Sequence, residues 1–262
     1  MDDNDREYVD YDDEDFGPGA SLLNANLVGA DLAEVFLPQA ILMGANLSGA
    51  DLHEANLNGV NFVEAILYEA KLGGAELSGA NFWQANLMRA NLRGARLVGA
   101  NLWGAILHEA DLTGADLYSA ILHSASAAGA NLEGADLYSV ILEGANLYSA
   151  NLAGANLAGA NLYRANLRGA NLEGANLRSA ILHRANLEQA NLSGVRLYGS
   201  DLTGADLRTA NLTGANLGRS KLDGADLTVA DCEGANFARA IADDLTSWPV
   251  DFDPERAGVT IT

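Results

Sequence analysis

Residues 150–177 read ANLAGANLAGANLYRANLRGANLEGANL, a five-residue unit repeated with little variation. The unit places Ala first, Asn or Asp second and Leu or Phe third, and two variable residues follow, the last of which is often Gly. From Ala20 to about Ala242 this frame continues without an insertion. A repeat of this extent constrains the fold more strongly than any single residue does.

A period of five fits neither a regular helix nor a straight strand. Five residues of an α-helix advance about 500°, so the Leu positions would spiral around the helix instead of forming an apolar stripe. Side chains of a straight strand alternate between two faces, and an odd repeat would expose every second Leu. The pattern therefore predicts a solenoid in which the chain turns once per repeat, with Ala and Leu facing inward.

Glycine indicates how many repeats form one coil. Four repeats per coil would stack residues twenty apart at one corner, where Gly tolerates backbone angles that other residues resist. The last place of the repeat is indeed Gly at every twentieth residue over much of the chain: Gly74, Gly94, Gly114, Gly134, Gly154, Gly174, Gly194, Gly214 and Gly234. We therefore expect a square cross-section and about eleven coils, which at about 4.8 Å each give a rod about 53 Å long.

This tandem A-[DN]-L-x-x pattern resembles the pentapeptide-repeat family, and the resemblance covers most of the chain. It implies an all-β fold, a right-handed quadrilateral β-helix of about eleven coils with four pentapeptides each. Its inward places correspond here to the Leu/Phe positions from Leu22 to Phe237 and to the Ala two residues before each of them. Most members of this family have no assigned role, so the resemblance predicts the fold more firmly than the function.

Three features of the repeat carry further structural expectations. The central Leu is replaced by Ala127 in SASAAGA (residues 124–130), which predicts a local bulge or a small cavity. Cys232 also occupies a central place and is expected to be a buried core thiol. The repeated Asn is expected to form ladders of stacked side-chain amides, whereas stacked Asp would repel.

The frame divides the chain into three segments: an acidic N-terminal tail (1–19), the repeats (20–242) and a C-terminal capping segment (243–262). Nine acids against Arg6 in the tail favour disorder. The tail either keeps the protein soluble or contains a docking motif for a basic groove, formed by Tyr8, Tyr11 and Phe16. The last segment resembles the end of many family members and is expected to cover the last coil with Trp248, Pro249, Phe252 and Pro254.

Composition limits the classes of partner. The formal charge of -20 and the pI near 4.3 argue against direct binding of nucleic acid phosphates and favour a basic protein partner or simple solubility. No apolar run is long enough to insert in a membrane, and the acidic start differs from a secretory signal, so we expect a cytoplasmic protein. A single cysteine allows no intrachain disulfide and no zinc site built from several cysteines.

The sequence contains no motif for catalysis, a cofactor or a metal. Neither a P-loop nor a dinucleotide-binding glycine pattern is present, and a filled solenoid offers few pockets for a catalytic triad. His123 and His183 share a position in the coil but lie three coils apart, about 14 Å, which is too far to bind one metal ion. We therefore expect a protein that is not an enzyme and binds no cofactor and no metal.

The outward positions differ between the walls of the predicted solenoid. One wall, wall A, has Leu22, Leu42 and Phe62 at its first centres. Its outward residues include Met43, Val63, Trp83, Trp103, Ile121, His123, Ile141, Tyr163, Ile181 and His183. The next wall, wall B, adds Tyr68, Met88, His108 and Tyr148. A third wall, wall C, is mostly small or polar at the matching places. The apolar side is either a partner surface or a packing ladder of stacked side chains.

Three functional hypotheses follow. The leading one is a non-catalytic interaction module or scaffold that binds a partner protein, or a second copy of itself, through walls A and B. The second, which rests on the resemblance, is an acidic DNA mimic that binds DNA gyrase or another DNA-binding protein, although the acids here form no regular rows. The third is a structural spacer, which predicts that surface substitutions are harmless.

Overall fold

The computed structural model describes residues 16–262 and shows the predicted right-handed quadrilateral β-helix. Parallel single-residue bridges join residues twenty apart along the chain, from Ser21 with Ile41 to Lys221 with Ile241. Two short strands, β1 (Ile241–Ala242) and β2 (Thr260–Ile261), pair in parallel at the C-terminal end. Because each coil contributes one bridge per pentapeptide, the bridges form four walls.

The walls are named by their central residues at intervals of twenty. Wall A runs from Leu22 to Leu222, wall B from Leu27 to Leu227, wall C from Leu32 to Cys232 and wall D from Leu37 to Phe237. In chain order each coil passes through walls A, B, C and D. A residue keeps its place on a wall when the sequence advances by one coil, so stacked positions can be read directly from the sequence.

The hydrogen bonds of one repeat show how the coil is built. The Leu152 amide donates to the Asn171 carbonyl of the next coil (2.7 Å), and the Asn171 amide donates back to the Ala150 carbonyl (2.9 Å). The Ala155 amide donates to the Leu152 carbonyl (3.1 Å) and closes a turn whose third residue, Gly154, has a φ of 65°. A positive φ at that place alone is typical of a type II turn.

All four corners of the coil use this conformation. The prediction that glycine marks a single unusual corner is therefore too narrow, although the glycine positions after wall C do have positive φ. Residues other than glycine also adopt a positive φ at the other corners, for example Glu109 with a φ of 56° and Val229 with a φ of 62°. Such residues carry a backbone cost that the inter-coil hydrogen bonds offset.

The interior consists of the predicted Ala and Leu positions. From Leu37 to Leu227 every central side chain is at most 2% exposed, and Phe62 stacks on Phe82 with ring centroids 4.9 Å apart. Each fully buried Leu contributes about 1.5–3 kcal/mol relative to an exposed one. The core is therefore a continuous apolar stack enclosed by four walls.

Ala127 interrupts the stack without disturbing the backbone. Its amide donates to the Asn146 carbonyl at 2.8 Å, as the amides of its neighbours do in their own coils. The missing side chain leaves a cavity of about 10 Å³ lined by leucines, among them Leu107 and Leu147. A space of this size without polar groups excludes an ordered water. Of the two predicted outcomes, the structure shows the cavity and no bulge.

The predicted asparagine ladder is confirmed, and it is longest on wall C. Each side-chain amide donates to the Asn of the preceding coil in a continuous series at 3.3, 2.9, 3.1 and 3.0 Å, from Asn211 through Asn191, Asn171 and Asn151 to Asn131. The Asn151 Oδ1 atom also accepts the Ala153 amide at 3.2 Å. Each such Asn therefore stabilises both its own turn and the contact between coils.

Both ends of the repeat region differ in detail from the sequence reading. Gly17 and Gly19 already take part in coil hydrogen bonds, because the Ala20 amide donates to Gly17 (3.0 Å) and the Gly19 amide donates to Pro38 (2.9 Å). Phe16 packs against the core, whereas Tyr8 and Tyr11 lie outside the described residues. At the other end the Leu227 amide donates to the Ser247 carbonyl (2.7 Å), so coil pairing continues beyond residue 242.

Candidate partner-binding surface

The structure places the predicted surface residues on the outside of two adjacent walls. Their outward position follows from the burial of the central Leu or Phe directly before or directly after each of them. Wall A presents Met43, Val63, Trp83, Trp103, Ile121, His123, Ile141, Tyr163, Ile181 and His183, and wall B presents Tyr68, Met88, His108 and Tyr148. The columns read from the sequence are thus neighbouring rows on one side of the rod.

Wall A contains two aromatic pairs between coils, of which the first is tilted and the second is stacked. Trp103 is 48% exposed and lies 4.6 Å from His123 between ring centroids. Farther along, Tyr163 stacks on His183 at 5.5 Å, and the Arg164 guanidinium lies 5.0 Å from the Tyr163 ring centroid. Stacked and cationic contacts of this kind fix the orientation of the rings while leaving their outer edges accessible. Ordered aromatic groups bind a partner with a small loss of side-chain entropy.

Wall B is more polar than wall A. The Tyr68 hydroxyl accepts a hydrogen bond from Arg89 (3.3 Å), and the Arg89 Nε atom donates to Glu109 (2.8 Å). Glu109, together with Tyr68, raises the pKa of Arg89. His108 Nε2 and the Ser126 hydroxyl are 2.7 Å apart and share a hydrogen bond. Polar groups therefore border the apolar residues of wall A, as is usual at the rim of a protein interface.

Wall D carries aromatic residues that the sequence reading missed. Tyr118 stacks on Tyr138 at 5.5 Å, with 46% and 42% of these residues exposed. Tyr198 lies between Arg178 and Arg219, whose guanidinium carbons are 5.3 and 5.7 Å from its ring centroid. Tyr118, Tyr138 and Tyr198 are separated by multiples of twenty residues, so the method that revealed walls A and B in the sequence would also have revealed this row. Apolar and aromatic groups therefore occupy three walls, and wall C is the exception.

The predicted capping residues lie over the last complete coil. The Trp248 and Phe252 rings stack on each other at 5.1 Å, and both meet Phe237 edge to face at 5.7 and 5.1 Å. Pro249 directly follows Trp248, and Pro254 lies two residues after Phe252. The cluster therefore lies on the side of wall D.

A second contact at this end involves Asp243, which the sequence reading did not identify. Its carboxylate accepts the Gly224 amide (2.7 Å) and the Thr246 hydroxyl (3.0 Å), and the Gly224 amide holds the pKa of Asp243 below its usual value. The Thr246 Oγ1 atom also lies 2.9 Å from the Leu222 carbonyl oxygen, so its one proton is shared between the two acceptors. These side chains replace backbone bonds that the next coil would make. The sequence D-D-L-T, with Asp three residues before Thr, was the available signal.

Cys232 departs from the expectation of a buried thiol. It is the only central residue between Leu22 and Phe237 that is not fully buried, and it lines an open pocket beside Phe252. Partial burial raises the pKa of this thiol to about 11, and the charge of Asp231 adds to the effect. The thiol is therefore protonated at neutral pH and is a poor nucleophile.

Within residues 16–262 there is no group of three or more His, Cys, Asp or Glu side chains arranged to hold a metal ion. The same residues include no helix of the length and apolar character that would be needed to cross a membrane. The histidines on walls A and B instead contact aromatic rings or a hydroxyl group.

Comparison with known proteins agrees with the observed repeat. The family model described as pentapeptide repeats matches in 8 copies, over residues 19–49, 45–84, 85–123, 122–154, 155–194 and 190–228. The chain belongs to the pentapeptide-repeat family. The matches include almost all of the coils and leave out the C-terminal segment. No match was found among curated proteins.

Solved structures of other pentapeptide-repeat proteins are similar to this one. HetL of Nostoc sp. strain PCC 7120, described as involved in the regulation of heterocyst differentiation, is 37% identical over 86% of this chain and 90% of its own, with a TM-score of 0.30. The protein alr5209 of the same organism is 37% identical over 39% of this chain and 84% of its own, with a TM-score of 0.39. QnrB1, a plasmid-mediated fluoroquinolone resistance protein, is 18% identical over 83% of this chain and 89% of its own, with a TM-score of 0.36.

Proposed function

We propose that this pentapeptide-repeat protein is a non-catalytic interaction module that binds a partner protein through walls A and B. The observation that supports the proposal most directly is the row of exposed and half-buried apolar side chains on wall A, which includes the exposed Trp103. Isolated exposed apolar residues are ordinary on soluble proteins, but a contiguous patch of them marks an interaction site. Trp and Tyr are also the residues that most often carry binding energy in interfaces.

The rigid coil favours binding over catalysis. Central side chains fill the interior, and the side chains of wall A stand in rows spaced by one coil, about 4.8 Å. Such a surface is pre-organised, so a partner loses little entropy in ordering it. Acidic groups near the patch, such as Glu64 and Glu143, favour a partner with basic residues at the rim.

The test is the double substitution Trp83→Ala and Trp103→Ala in the full chain. We expect it to abolish co-purification of the partner from the native host, or to lower the oligomeric mass if the partner is a second copy. The matched control is Thr113→Ala with Ser193→Ala, at the same outward place on wall C, which should change neither result. Unchanged capture and unchanged mass in the tryptophan variant would contradict the proposal and support the spacer hypothesis.

The DNA-mimic hypothesis needs long rows of unpaired acids, and the arrangement of charges favours it less. Arg89 lies between Glu69 (3.7 Å) and Glu109 (2.8 Å), so these two acids of wall B are partly neutralised. Arg208 similarly lies 2.6 Å from Asp206 and 3.9 Å from Asp226. A supercoiling assay with gyrase decides between the two hypotheses: we expect no inhibition at excess protein.

A further inference from the structure

The last coil is incomplete on wall C. One coil lower, the Leu212 and Gly214 amides donate to the carbonyls of Asp231 (2.7 Å) and Glu233 (2.8 Å), and the Ala210 carbonyl accepts the Asp231 amide (2.9 Å). The equivalent groups of the last coil are the amides of Cys232 and Gly234 and the carbonyl of Ala230. Within residues 16–262 none of these three has a hydrogen-bond partner. This edge therefore lacks the next strand of the wall.

The path of the C-terminal segment explains the gap. Ser247 extends wall B by one coil, and the chain returns to wall D where the Arg239 amide donates to the Gly258 carbonyl (2.8 Å). Between these points the segment 249–252 stands away from wall C. It leaves a pocket of about 590 Å³ whose rim includes Val250, the most exposed of the large apolar residues at 97%.

The lining of the pocket has two chemical parts. Its apolar part consists of Val229, Ala230, Cys232, Pro249, Val250 and Phe252. Its charged part consists of Asp231, Glu233 and Asp251, and no Lys, Arg or His nitrogen in residues 16–262 lies within 4.0 Å of these three carboxylates. Two other acids on wall C do have a basic neighbour, since Asp51 lies 3.0 Å from Lys71 and Asp111 lies 3.2 Å from Arg93. The pocket is thus apolar inside and negative at its edge.

We propose that this edge binds one extended, basic segment of a partner protein as the missing strand of wall C. The segment pairs in parallel with residues 230–234, as each coil pairs with the one below. The Cys232 and Gly234 amides donate to its carbonyls, and one of its amides donates to the Ala230 carbonyl. Addition of a strand to an unpaired edge satisfies backbone groups that otherwise depend on water.

The register of the coil specifies the side chains of this segment. An apolar residue lies above Cys232 and enters the pocket, where lower coils have Leu192 and Leu212. The residues on either side of it point outward and lie above Asp231 and Glu233, where Lys or Arg matches the charge. A small residue fits above Ala230. The preferred sequence is therefore Ala-basic-Leu-basic-Gly, which is a basic version of the repeat itself.

The test uses the sole cysteine as the reporter in the full chain. Alkylation of Cys232 by excess iodoacetamide is followed at about pH 9, where a larger fraction of this weakly acidic thiol is ionised, while the capped peptide Ala-Lys-Leu-Lys-Gly is added. We expect alkylation to slow with increasing peptide and to reach a plateau. Three peptides serve as controls and should give no protection: one with Glu in place of both Lys, one with Asp in place of Leu, and one N-methylated at the first Lys, which removes the amide that donates to Ala230.

Charge substitutions in the protein complete the test. Asp231→Asn with Glu233→Gln should weaken peptide binding about five- to tenfold, since exposed ion pairs contribute modestly. Glu173→Gln, three coils away on wall C, should leave binding unchanged and serves as the matched control. Absence of protection by the Lys peptide, or equal protection by the Glu peptide, overturns the proposal. If alkylation of Cys232 slows as the protein concentration rises without any peptide, and the oligomeric mass rises with it, a second copy of the chain occupies the edge instead.

Discussion

Walls A and C have the same interior and opposite exteriors. Both bury Leu or Phe at every central place except the last of wall C, and both use the same turns and the same hydrogen bonds between coils. Outside, wall A carries stacked aromatic and apolar side chains, whereas wall C carries an asparagine ladder with small or charged neighbours. The difference shows that the inward residues of the repeat specify the fold and that the outward residues are available for function.

The largest expected effect tests whether the two interiors are equivalent. Leu142→Ala on wall A and Leu152→Ala on wall C remove side chains that are at most 1% exposed. Each should lower the free energy of unfolding by about 2.7–5 kcal/mol, because the rigid coil cannot collapse onto the cavity. Chemical denaturation measures both, provided that unfolding is reversible. A difference of more than about 2 kcal/mol between them would show that the walls do not share one core.

A smaller loss of stability should distinguish the outer faces of walls A and C. Asn171→Asp on wall C removes the amide that donates to Asn151 (3.1 Å), and it places a charge beside the ladder. Asn161→Asp on wall A leaves the bond from the Tyr163 amide to Oδ1 (3.1 Å) in place, and its neighbours in the stack are Ile141 and Ile181. We expect a loss of about 1–2 kcal/mol for the first and less than about 0.5 kcal/mol for the second. Equal losses would mean that the ladder adds nothing beyond the turn.

The regular part of the molecule could be predicted from the sequence because it repeats. A period of five excludes helices and straight strands, and the glycine column specifies four repeats per coil, so both the fold and the rows on walls A and B follow. The end of the coil could not be derived in this way. The exposure of Cys232 depends on the path of residues 249–252, and the role of Asp243 depends on its distance from the Gly224 amide. Neither is encoded in a periodic pattern.

A third prediction separates binding from stability on wall A. Trp103 is 48% exposed, and its ring contacts the ring of His123. Trp103→Ala should therefore lower the free energy of unfolding by only about 0.5–1.5 kcal/mol, the value of one aromatic pair. Thermal unfolding measures this loss in the same preparation that is used for the binding assay. A much larger loss would indicate that the aromatic rows are packing ladders that support the wall.

The smallest effect concerns protonation on wall C, where His53 and Asp51 form an ion pair of 2.8 Å. The hydrogen bond with His53, followed by that from Lys71, lowers the pKa of Asp51 from 3.8 to about 2. The same carboxylate raises the pKa of His53 above 6.5. The contribution of Asp51 to stability is thus present above its unfolded pKa of 3.8 and is lost as the pH falls toward 2.

The contribution of His53 has the opposite dependence. It is complete below the unfolded pKa of 6.5 and is lost as the pH rises through the higher folded value. Substitution Asp51→Asn should return the pKa of His53 toward 6.5, which proton NMR of the imidazole ring measures directly. His183→Gln on wall A simplifies the spectrum without touching this pair. If His53 titrates at its ordinary value in the unsubstituted protein, the ion pair does not persist in solution, and the charges of wall C act only through the solvent.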